Sequence, residues 1–150
     1  MRRVSSNSPS APIIAFPALR ASRDGTLDVV DNEVQLTTCS KLALRKGYFD
    51  GLAIYDSAGM KHQVEKATKL HGVGPFWGYD IFLDQRIMVR LLFRDGCKRV
   101  STNDVRQVAL RFLRKWGPSR GDYEELCRSV QEAGSISEIL RLLADPPASL

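Results

Sequence analysis

No apolar run in this chain approaches the roughly 18 residues that a membrane-spanning helix needs, so no transmembrane helix is expected. Cysteine is scarce. Cys39, Cys97 and Cys127 are odd in number, far apart and never in a CxxC pair, which excludes a disulfide framework and a zinc knuckle. Histidine is scarcer still: His62 and His71 stand without a close-spaced set of Cys, Asp or Glu, and no metal site is expected. No GxSxG, P-loop or dinucleotide fingerprint occurs, and Gly72-Val73-Gly74 has no following helix to make a phosphate cradle. No cofactor is therefore expected. The N-terminus lacks a secretory apolar core, so a reducing cytoplasm is the expected location. Internal repeats are absent as well.

What is present suits one globular domain. At 150 residues with 43% hydrophobic content, the chain can build a core without disulfides or metal. Its net charge of +5 is unevenly spread. Residues 1–23 carry four arginines and no acid, and residues 24–85 carry six bases against nine acids. Residues 86–120 carry ten bases against two acids, and residues 121–150 carry two against six. A basic middle segment thus lies between two acidic ones.

The stretch GVGPFWGYDIFLDQRIMVRLLF, residues 72–93, holds the aromatic cluster and is rich in apolar residues. Ile87, Val89, Leu91 and Phe93 alternate with Met88, Arg90 and Leu92, the pattern of a central strand with one apolar face. The C-terminal helices are expected to cover it. Upstream, Gly72, Gly74, Pro75 and Gly78 surround Phe76 and Trp77 and preclude regular structure. The two rings either plug the end of the core or form a rigid contact patch.

Residues 1–10, polar and rich in serine and arginine, form a disordered tail. The same composition suits an organelle transit peptide, but Pro9, Pro12 and Pro17 would break its helix. Ile13 to Phe16 predicts a short edge strand, and Asp24-Gly25 a turn. Thr26–Val30 and Glu33–Thr37 predict two strands joined at Asp31-Asn32, residues that tolerate a tight hairpin. Thr38 to Lys46 predicts a helix capped by Thr38 or Ser40 and stopped by Gly47. Leu52–Tyr55 and Met60–Val64 predict a hairpin about Asp56-Ser57-Ala58-Gly59, with the pattern fading from Glu65 to His71. Asp95-Gly96 signals a further hairpin, with Cys97–Val100 returning beside residues 86–93.

The last third changes period. Ser101 to Asp104 forms a cap-like box, after which Val105, Val108, Ala109, Phe112, Leu113 and Trp116 recur at helical spacing. Gly117-Pro118 ends that helix. A second box at Asp122–Glu125 opens a helix with Tyr123, Leu126, Cys127 and Val130 inward. A third, Ser135–Glu138, precedes Ile139, Leu140, Leu142 and Leu143. The predicted fold is α+β: an antiparallel sheet in the N-terminal two-thirds, with three amphipathic C-terminal helices packed on one face. The domain spans residues 11–145, and residues 146–150 form a C-terminal tail.

Chemistry has few footholds. Asp80 and Asp84 could pair for acid–base work or serve as solvated groups. A Cys–His pair could meet only in space. The basic segment is the stronger lead. Arg86 and Arg90 on the strand, with Arg106, Arg111, Arg114 and Lys115 on the polar face of the helix, either converge into a phosphate-binding patch or form a solvated face offset by the acidic segments. No helix-turn-helix or RNA-recognition signature accompanies them.

The succession LRKGYFDGLAIYDSAGMKHQV, GVGPFWGYDIFLDQRIMVRLLF, STNDVRQVALRFLRKW and GDYEELCRSVQEAGSISEIL, over about residues 40–143, resembles small bacterial immunity proteins of contact-dependent and polymorphic toxin systems. The resemblance implies a non-enzymatic protein that binds a cognate toxin domain and blocks it. Trp77, Tyr79, Asp80 and Asp84 would then be the partner-binding residues, an aromatic anchor with charged neighbours. Many nuclease-inhibiting immunity proteins are acidic and this chain is not, so its polarised charge would suit a partner of opposite polarity. A nucleic-acid-binding accessory protein using residues 86–120 is the alternative. Oligomeric state leaves no trace in the sequence.

Overall fold

The computed structural model describes residues 12–72 and 86–144, and their first regular element is a hairpin. Strands β1 (Ala18–Ala21) and β2 (Leu27–Val30) pair antiparallel about the Asp24-Gly25 turn. Gly25 sits at φ +87°, a conformation that glycine adopts without steric cost. The Asp24 carboxylate closes the turn, accepting the Thr26 amide at 3.0 Å, the Thr26 hydroxyl at 2.8 Å and the Ser22 hydroxyl. Residues 13–16, expected as an edge strand, are not one. Pro12 and Pro17 offer no N–H, and Ala15 is instead tied to the next hairpin through the Asp56 carboxylate and the Ser57 amide.

Glu33–Thr37 is a helix, α1, and not the second arm of a hairpin. The correction turns on Asn32. It is extended, at φ −157°, and its side chain accepts the Gln35 amide at 2.9 Å, which makes it an N-cap. Gln35 reaches back to the Asp31 amide at 2.7 Å. The chain passes directly into β3 (Thr38–Ser40), so the helix expected from Thr38 begins three residues later as α2 (Lys41–Arg45). Ser40 is its cap, accepting the Ala43 amide at 3.0 Å, and Gly47 follows it at φ +75°.

The second hairpin stands where expected, between β4 (Ala53–Asp56) and β5 (Met60–Gly72). However, β5 does not fade after Val64. It runs on to Gly72 and pairs with β6 (Arg86–Phe93), with register shifts at Val64/Lys66 and Lys69/His71. Each bulge inverts the inward–outward alternation, which hid the strand from a period-two reading. The strand after Asp95-Gly96 is also repositioned. β7 (Lys98–Arg99) pairs with Met60 and Lys61 of β5, taking the edge that β6 leaves beyond Phe93. Among the described residues the sheet order is β2-β1-β4-β5-β6-β3, every pairing is antiparallel, and β7 lies beside β5 off that path. With the helices this is an α+β fold.

Three amphipathic helices close the described chain: α3 (Thr102–Trp116), α4 (Tyr123–Glu132) and α5 (Ile136–Ala144). Ser101 and Asp104 form a reciprocal capping box on α3. Val105, Ala109 and Leu113 are buried as expected, together with Leu110, whereas Trp116 is half exposed. Asp122 makes no cap bond to α4, because its carboxylate holds Arg120 at 3.0 and 3.1 Å. Ser135 accepts the Glu138 amide at 3.2 Å and so starts α5.

Alternate residues of the sheet enter different cores. Leu19 and Tyr55 pack in a cluster with Val105, Leu113, Leu126, Val130, Ile139 and Leu140. Their strand neighbours Ala18 and Ile54 belong to a second cluster with Leu36, Phe49, Leu52, Val64, Ile87 and Val89. Ile87 and Val89 thus pack with α1 and the segment after α2, and not with the C-terminal helices as expected.

Candidate functional site

Strand β6 carries a stretch of open sheet edge. On one side it pairs with β5 throughout; on the other, β3 reaches only as far as Thr38 opposite Met88. From Val89 to Phe93 no described strand takes that side. Arg94 donates its N–H to the Gln63 carbonyl at 2.8 Å, toward β5. Strand alternation then turns the N–H and C=O groups of Leu91 and Phe93 the opposite way, to the open edge. Beside that edge lies a groove of about 720 Å³ between α1, the segment Pro12–Phe16 and β6. It is apolar and half open. Ile13 is 94% exposed, Val34 59% and Leu70 48%, and Leu36 and Val89 form its buried base. A sheet edge with unpaired backbone and an apolar flank is a template for an added strand.

The positive charge gathers along the same ribbon. Lys66 and Lys69 on β5, and Arg86 and Arg90 on β6, are exposed, and Arg90 lines the groove. The remaining members of the expected basic patch lie on α3. Arg106 directs its guanidinium to the Val130 and Ala133 carbonyls at 3.2 and 2.7 Å and to Asn103, binding the end of α4 to α3. Arg114 is exposed near the start of α4. Arg111 and Lys115 line another cavity, beside the β1–β2 turn. Trp77, Tyr79, Asp80 and Asp84 lie outside the described residues, between the end of β5 at Gly72 and the start of β6 at Arg86.

One pair escaped sequence reasoning. Asp56 and His62 are 1% and 4% exposed, with Nε2 of His62 3.0 Å from the carboxylate. Asp56 also accepts the amides of Ala58 at 3.0 Å, Met60 at 2.9 Å and Ala15 at 3.3 Å. Four donors saturate a carboxylate, so this group fastens the β4–β5 turn to the N-terminal segment. The hairpin register makes the two residues diagonal neighbours, since Ile54 faces His62 and Tyr55 faces Lys61. The Asp-x-x-Gly turn spelled out in the sequence was the available signal. His62 also lines a cavity with Cys97 and Arg90. Among the described residues, no three His, Cys, Asp or Glu side chains converge as a metal site, and no helix is long and apolar enough to cross a membrane.

No family model, curated protein or solved structure matches the chain.

Proposed function

We propose that this chain is a non-enzymatic binding protein that receives an extended segment of a partner protein along the open edge of β6. The partner we infer is a toxin domain to which the chain confers immunity in the cytoplasm. The observation that carries the binding reading is the unpaired side of Val89–Phe93 with the apolar groove beside it. Its chemistry defines the occupant. Backbone groups at Leu91 and Phe93 call for a strand, Ile13 and Val34 call for apolar side chains, and Arg90 calls for an acidic residue. The toxin role comes from the resemblance of the segments quoted above. Trp77, Tyr79, Asp80 and Asp84, between the ends of β5 and β6, remain contact residues in this proposal. We also infer that α3, α4 and α5 cover one face of the sheet, which the sharing of one cluster by Leu19, Tyr55 and all three helices supports.

The test begins with the gene neighbourhood. A toxin encoded directly upstream should arrest growth, and co-expression of this chain should restore it. In the purified complex, Val34→Asp and Ile13→Asp should each weaken binding by about tenfold or more, as for the centre of an interface. A neutralised toxin whose affinity ignores both substitutions would refute the edge, and the absence of any neutralised toxin would refute the role.

A second reading, an accessory protein that binds nucleic acid, is favoured by one observation: the exposed bases Lys66, Lys69, Arg86 and Arg90 on two adjacent strands. Such exposed bases would contact the phosphate backbone. Their binding must fall steeply with salt, so no binding of mixed DNA or RNA at low salt would remove this reading.

A further inference from the structure

A second cavity, of about 420 Å³, lies between the β1–β2 turn and α3, away from the β6 edge. Three cations from two separate parts of the chain border it. Arg23 comes from the turn, and Arg111 and Lys115, one helical turn apart, come from α3. Two glycines make the approach possible. Arg23 passes so close to Gly51 that a Cβ there would meet its Nε at 2.9 Å, and a Cβ on Gly25 would stand 3.3 Å from the Lys115 ammonium. Lys115 is anchored by one donor, 2.8 Å from the Asp24 carbonyl, and the ammonium has two more to offer. The single carboxylate on the rim, Asp24, accepts from Ser22 and Thr26 and interacts electrostatically with Lys115, so one negative charge stands against three positive ones and the rim keeps a cationic excess.

Beneath the cationic rim the cavity is apolar. Leu27, Ala53, Tyr55, Val108 and Phe112 line it, with Tyr55 and Phe112 supplying aromatic surface. An apolar pocket with a few convergent polar groups is the usual form of a small-molecule site, and a volume of several hundred Å³ accommodates a body of one or two rings. Three forked or pointed donors of one sign select an anion, and arginine pairs favour the multi-oxygen geometry of phosphate.

We propose that this cavity binds a small phosphate monoester carried on an aromatic or apolar body. The phosphate lies between Arg23, Arg111 and Lys115, and the body rests against Tyr55 and Phe112. This site shares no lining residue with the β6 groove and stands independently of the docking role.

The probe is phenyl phosphate, titrated into the full-length protein by isothermal calorimetry, with amide shifts followed by NMR. Binding should be saturable, with shifts at the turn around Gly25 and along α3. Inorganic phosphate, lacking the body, and benzyl alcohol, lacking the anion, should each bind more weakly. Arg23→Ala and Arg111→Ala, both exposed side chains, should leave the thermal midpoint unchanged and weaken phenyl phosphate about tenfold each. Phe112→Leu should weaken phenyl phosphate but not inorganic phosphate. No saturable binding at millimolar ligand would overturn the proposal, as would binding indifferent to both arginine substitutions. Equal affinity for phenyl and inorganic phosphate would show a bare anion site and overturn the part assigned to Tyr55 and Phe112.

Discussion

Asp56 accepts four hydrogen bonds in a place that water hardly reaches, so its replacement exposes the cost of each donor. Asp56→Asn would set an amide NH₂ against backbone N–H groups, and stability should fall by about 2–3 kcal/mol, read as a lower urea midpoint at unchanged slope. The opposite case is Thr38, whose hydroxyl is buried without a hydrogen-bond partner among the described residues, where α1 runs into β3. Thr38→Val keeps the shape and removes the orphan, so it should stabilise the protein by about 1 kcal/mol in the same assay. Asp24 carries a pH signature. Hydrogen bonds from Ser22, then from Thr26, lower its carboxyl from 3.8 to about 2. A pKa depressed by folding contributes stability that is complete above the unfolded value and fades as pH falls through the folded one. The stability gap between the native protein and Asp24→Asn should therefore be full at neutral pH, begin to narrow below about pH 4 and close near pH 2. The sequence exposed Asp56 and Asp24 as turn residues but not their partners. Turn chemistry is local, whereas His62 meets Asp56 only through the hairpin register.

At the scale of elements, legibility followed period and capping. The three C-terminal helices, each with an apolar stripe and a starting polar residue, were readable because those signals lie within one segment. α1 was not, because a helix of five residues offers too few turns to distinguish Val34 and Leu36 from strand alternation. The Gln35 N–H, donated to the Asn32 side chain, decides it, with the Leu36 amide on the Asn32 carbonyl. Asn32→Ala should accordingly cost about 1 kcal/mol, the usual value of a lost N-cap, measured by thermal unfolding. β5 was half readable for the reason that its bulges break the pleat twice. Of the candidate site, the strand Arg86–Phe93 was legible, but its open edge was not, since edge status depends on how far β3 extends. That edge has a direct signature in hydrogen exchange. In the free protein the amides of Leu91 and Phe93 should exchange faster than those of Arg90 and Leu92, which face β5. A bound partner strand should slow Leu91 and Phe93. Equal protection of all four in the free protein would mean the edge is already closed.

At the scale of the molecule, neighbouring residues of the sheet serve two apolar clusters. Leu113→Ala in one and Ile87→Ala in the other should each cost about 2–4 kcal/mol, and the double variant should lose their sum, because the two residues belong to different clusters. A sum that falls well short in denaturant titration would mean that the clusters relax together. The charge map, legible in outline from the sequence, resolves into a basic ribbon at β5–β6 and a separate group of cations beside α3. Folding separates what lies contiguous in residues 86–120. The groove rests on Leu36 and Val89 of one cluster, whereas the cavity beside α3 rests on Leu27, Ala53, Tyr55 and Val108, which pack in or against the other. Two occupants seated as proposed would share no lining residue, so saturating phenyl phosphate should leave the affinity for a partner strand unchanged, measured by calorimetry with and without it.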